Sequence, residues 1–122
     1  MSLTTPIKVA AVQAAPASFD LDASLEKLQR LTAQAAEAGA DLVVFPYAAS
    51  AVAIPSPAFD ALKEAAKTNN VFLHVGIIEK DGGTLYCTAV LFDRNGDLLY
   101  KHRKVRYLAA SSTDAPLTPS EF

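Results

Sequence analysis

Two apolar runs, IKVAAVQ at residues 7–13 and ADLVVFP at 40–46, enclose a stretch whose apolar residues recur at helical spacing. Leu21, Leu25, Leu28, Thr32 and Ala35 fall at three- and four-residue steps, with Glu26, Lys27, Arg30 and Glu37 on the other side. That period belongs to an amphipathic helix with one face turned to a core. Asp20 or Asp22 can accept from the first helical amides, and Gly39 stands where a left-handed residue ends a helix. Strand, crossover helix, strand is a right-handed unit whose strands pair in parallel, so the chain is committed to an α/β fold. The second run lacks alternation, which predicts a central strand covered on both faces.

The helical pattern returns in SPAFDALKEAAKTNN, with Ser56 as cap, Pro57 at the first helical position and Phe59, Leu62 and Ala66 on one face. Asn69 and Asn70 mark its end. VFLHVGIIE, TLYCTAVLF and the residues after Asn95-Gly96 then read as three strands joined by turn chemistry, an antiparallel meander added to a βαβαβ start. From Leu108 the chain is small, polar and proline-bearing. One domain is expected over residues 1–107 and an irregular tail over 108–122.

A chain of 122 residues suits one domain. Its composition, 51% hydrophobic and 20% charged, is more apolar than a free-standing monomer needs, which points to a partner surface. The net charge is −2, and basic residues cluster only between Lys101 and Arg106, so no basic face for nucleic acid is expected. Cys87 is the lone cysteine and His74 and His102 are the two histidines, too little for a disulfide framework or a Cys/His metal site. No cofactor is implied. A cytoplasmic setting is expected: Gln13 and Pro16 interrupt the first apolar run, which fits neither a signal peptide nor a membrane span.

The ordered set IKVAAVQAAP, GADLVVFP and VGIIEKDGGTLYCTAVLFDRNGDLLYKHRK resembles the N-terminal part of the nitrilase, or carbon–nitrogen hydrolase, superfamily. The likeness covers residues 7 to about 105. It implies half of an α-β-β-α sandwich, and a chemistry in which a Glu, a Lys and a Cys act together at an amide or nitrile carbon. A thiolate attacks, the carboxylate moves the proton, and the ammonium stabilises the developing charge.

Carried over residue by residue, the resemblance places the base at position 47, where FPY has Tyr47 instead of Glu. A phenol with a pKa of about 10 is no base near neutrality. HRK places Lys104 at the charge-stabilising position; the alternative is that Lys101, Arg103, Lys104 and Arg106 form a solvated strand end that discourages edge pairing. A second glutamate would follow by seven or eight residues, where Ser111 and Ser112 stand. The family cysteine lies well beyond the lysine, past Phe122. Cys87 lies mid-strand, where the family usually carries Asn, and reads as a small buried apolar side chain. His74 reads as a packed strand histidine and His102 as exposed. Only AASAVAIPS joins Tyr47 to Pro57, shorter than the family's substrate-shaping loop.

These departures predict a non-catalytic, truncated nitrilase-like domain that acts as a self-associating scaffold or binding module. Its partner would be a second copy meeting it sheet to sheet, or a full-length nitrilase relative. The alternative is a small residual or repurposed hydrolase-like enzyme, or a small-anion binder, using Lys104 and Tyr47 on a common cavity.

Overall fold

In a computed structural model, residues 6–13, 20–46 and 51–104 are described; Tyr47 and the expected tail at 108–122 lie outside them. The described elements are β1 (Val9–Ala11), α1 (Leu21–Glu37), β2 (Leu42–Phe45), β3 (Ala51–Ala53), α2 (Pro57–Asn69), β4 (Phe72–Asp81), β5 (Thr84–Phe92) and β6 (Leu98–Arg103). One mixed sheet runs in the order β1-β2-β4-β5-β6, with β3 continuing beside β4 past the end of β2. β1, β2, β3 and β4 pair in parallel, and β4-β5-β6 is the expected antiparallel meander.

The helix ends follow from their local chemistry. Asp20 accepts from the Ala23 amide at 3.0 Å and caps α1, while Ser56 accepts from the Phe59 amide at 3.1 Å and caps α2. Asn70 closes α2 in the left-handed region at φ 53, and Gly39 turns the chain out of α1 at φ 92. Inside α1, the buried Thr32 hydroxyl donates to the Leu28 carbonyl at 2.7 Å, so its burial leaves no orphaned group. β3 had no signal in the sequence: AVA is too short and too poor in β-branched residues to stand out, and it is a strand because β4 offers it an unpaired edge.

Both helices lie on one face of the sheet. Alternation gives that face Val43 and Phe45 from β2, Leu73, Val75 and Ile77 from β4, and Val90 and Phe92 from β5, all 3% exposed or less. They pack with Leu28, Phe59, Leu62 and Ala66 of the helices, and the Phe59 and Phe92 rings meet tilted at 5.3 Å. The expectation that β2 is covered on both faces is therefore corrected. Leu42 and Val44, one residue out of phase, are only half-buried, because no described element covers the second face.

The turn from β5 to β6 depends on a glycine. Gly96 sits at φ 83, and a Cβ there would lie 2.9 Å from the Lys63 carbonyl oxygen of α2. Gly96→Ala is expected to cost at least about 1–2 kcal/mol in urea unfolding, combining left-handed strain with a backbone clash. Gly83, whose added Cβ would meet nothing within 4 Å, is the control: Gly83→Ala is expected to stay within about 0.5 kcal/mol of the parent.

Candidate functional site

The HRK segment ends β6, and there the strand splits its charges between the two faces. Thr88 pairs with Arg103, and the Lys104 amide donates to the Cys87 carbonyl at 2.9 Å. Alternation sends Arg103 to the helix side and Lys104 to the opposite face, beside Cys87. Both Lys104 and Cys87 are half-buried. The expectation of a buried Cys87 is thus corrected in degree: it lies mid-strand as read, but on the face that the helices leave uncovered.

That face carries Val9 of β1, Val44 of β2, Phe72 and Ile78 of β4, Leu91 of β5 and Tyr100 of β6. Val9 is 54% and Tyr100 47% exposed. His74 sits at its centre between Val44 and Leu91, with a buried Nδ1 that has no hydrogen-bond partner. His102 is exposed, as expected, and its ring stacks on Tyr100 at 6.2 Å. A cleft of about 390 Å³ opens at the other end of the strands, lined by Ile7, Asp41, Leu42, Phe72, Leu91 and Arg94. Arg94 is held there by the Asp41 carboxylate at 3.2 Å and the Asn70 carbonyl at 2.7 Å. The Lys8 amide and Arg94 keep the Asp41 carboxyl below its usual range.

On the helix side lies a cluster that sequence reasoning missed. Glu79 is 2% exposed, and its carboxylate accepts from Arg103 Nε at 2.8 Å, Arg103 Nη2 at 2.9 Å, Thr88 Oγ1 at 2.9 Å and Lys101 Nζ at 3.1 Å. Arg103 also donates to Asp81 at 2.7 Å and lies 4.0 Å above the Tyr86 ring. The Arg103 bonds, then Thr88 and Lys101, outweigh desolvation and draw the Glu79 pKa down to about 2. The reading of Lys101 and Arg103 as a merely solvated strand end is corrected: both are spent on a buried anion. The missed signal was the phase of Glu79, in step with Leu73, Val75 and Ile77, because a carboxylate in a core column must find cations.

Tyr47, read as the replacement of the family base, is outside the described residues, so of the two expected site residues only Lys104 is placed. Residues 8–121 match the family model described as carbon-nitrogen hydrolase. The chain belongs to this family. Among curated carbon-nitrogen hydrolases, it is 39% identical to a nitrilase from Bacillus sp. (strain OxB-1) over 138 residues, covering 93% of this chain and 40% of that one. It is 37% identical to a bifunctional nitrilase/nitrile hydratase of Nicotiana tabacum over 134 residues, covering 85% of this chain and 38% of that one. The chain thus spans about two fifths of the length of these relatives. The tobacco alignment is longer than this entire chain, so the relative has residues inside the matched region that this chain lacks.

Solved structures share the family fold. An amidase from Nesterenkonia sp. superposes with a TM-score of 0.72 at 22% identity, over 84% of this chain and 44% of that one. An N-terminal amidase with an Asn-Glu-Ala peptide does so with 0.68 at 17% identity, over 84% and 29%. No described helix is long and apolar enough to cross a membrane.

Proposed function

We propose that this carbon-nitrogen hydrolase-family chain acts as a non-catalytic module that associates with a second copy of itself through the sheet face its helices leave uncovered. The observation that carries the reading is the two-sidedness of the sheet. One face is buried under α1 and α2, while the other presents Val9, Val44, Phe72, Ile78, Leu91 and Tyr100 across five strands with no described layer over them. A largely apolar face of this kind, with His74 at its centre and His102 and Lys104 toward one end, marks an interaction surface. A two-fold pairing brings the same face from each copy together, apolar against apolar, and builds a sheet-on-sheet core.

The non-catalytic part rests on a substitution within the matched region. Family hydrolysis needs a carboxylate to move the proton, and FPY supplies a phenol at Tyr47. Lys104 can stabilise negative charge, but an ammonium alone generates no nucleophile.

Light scattering at micromolar concentration is expected to give the mass of a dimer, and Leu91→Asp, with unchanged circular dichroism, is expected to give a monomer. A monomeric parent chain would overturn the association. Turnover of an amide or nitrile above background that disappears in Lys104→Ala would overturn the non-catalytic reading.

A further inference from the structure

Glu79 occupies a place that the fold otherwise reserves for hydrocarbon. It follows Leu73, Val75 and Ile77 on the helix side of β4 and is nearly as buried as they are, yet it carries a charge. A buried carboxylate with its cations is often no more stabilising than well-packed apolar side chains of the same volume, so its presence points to a specific geometric task.

The partners of Glu79 narrow what that task is. Two of them, Lys101 and Arg103, lie two residues apart on the same side of β6. Among the described strands, β6 has β5 as its one neighbour in the sheet, and it is exposed over five of its six residues. The end of such an edge strand is where a sheet opens first. Glu79 reaches from β4, across β5, to hold that end through three hydrogen bonds. Asp81 and the Tyr86 ring hold the same guanidinium from further sides. The next residue is Lys104, whose amide continues the ladder to Cys87.

We propose that Glu79 is a positioning residue: by clamping Arg103 and Lys101 on the helix side, it fixes the end of β6 so that Lys104 is delivered to the opposite face beside Cys87. The bidentate fork matters here, because two parallel bonds set the direction of the guanidinium as well as its distance. With Arg103 anchored on one side, strand alternation leaves Lys104 no other side to take. This assignment concerns the fold of one chain and does not depend on self-association.

Nuclear magnetic resonance on Glu79→Gln at neutral pH tests it. The cross-strand NOEs between Lys104 and Cys87 are expected to weaken at least fivefold and exchange of the Lys104 amide to accelerate at least tenfold. The NOEs between Val75 and Val90, which pair in the middle of the sheet, are expected to persist. General destabilisation of a chain that stays folded would leave both sets of NOEs in place, so their divergence is specific to positioning. Lys104–Cys87 NOEs of parental strength in folded Glu79→Gln would overturn the proposal. If that variant does not fold, Arg103→Gln, which keeps the Glu79–Lys101 pair, is read in the same way and with the same overturning result.

Discussion

Glu79→Ala is expected to lower the unfolding free energy by about 2–4 kcal/mol, read as a shift of the urea midpoint at pH 7. The loss is smaller than the roughly 3–5 kcal/mol typical of breaking a fully buried pair, because the stranded cations are not fully buried. The side chains of Arg103 and Lys101 are 32% and 35% exposed and regain water when the carboxylate is removed. What remains is the lost charge-assisted bonding, the orphaned Thr88 hydroxyl and a cavity in the core column.

The same carboxylate gives the fold an acid dependence whose sign is set by its depressed pKa. The folded state lowers Glu79 from 4.5 to about 2, so it favours the ionised form. Its contribution is complete above about pH 4.5, declines as pH falls toward 2, and is gone below that. The size is about 3 kcal/mol, since a tenfold change in proton affinity is worth about 1.4 kcal/mol. Asp41, also lowered, acts in the same direction. Urea midpoints between about pH 5 and pH 2 are expected to fall steeply for the parent chain and markedly less for Glu79→Gln. Parallel curves for the two proteins would show that Glu79 is not the titrating group.

Phe92→Ala is expected to cost about 3–5 kcal/mol, the largest effect of a single apolar truncation among the described residues. Phe92 is 0% exposed and, among the described residues, is the largest of the fully buried side chains. Its ring meets Phe59 of α2 at 5.3 Å, which joins the meander to the helical layer. Truncation removes the transfer free energy of a ring and leaves a cavity between backbones that cannot close over it. Calorimetry is expected to show a fall in melting temperature of about 10 °C or more, given that about 1 kcal/mol moves a domain of this size by roughly 3–6 °C. A loss below about 1 kcal/mol would mean that α2 does not seat on β5 as described.

Most elements were legible because their signals are local. The period of Leu21 to Ala35, the Ser56-Pro57 start and the Asn95-Gly96 turn each concern residues close to one another in the chain. β3 was not legible, since Ala51–Ala53 has no strand character apart from its contact with Ile78, Glu79 and Lys80. The site divides in the same way. Lys104 could be named from HRK, but Glu79 could not be joined to Arg103, which is 24 residues away, until the meander's register was known.

The sequence by itself determined the α/β class, the parallel start, the antiparallel meander and membership of the carbon-nitrogen hydrolase family, because periodicity and motif order are properties of neighbouring letters. Only the tertiary structure decided which sheet face the helices cover, that Cys87 and Lys104 share the other, and that Lys101 and Arg103 are bound to Glu79. Each of those depends on strand register, and a shift of one residue would have exchanged every side chain between the two faces.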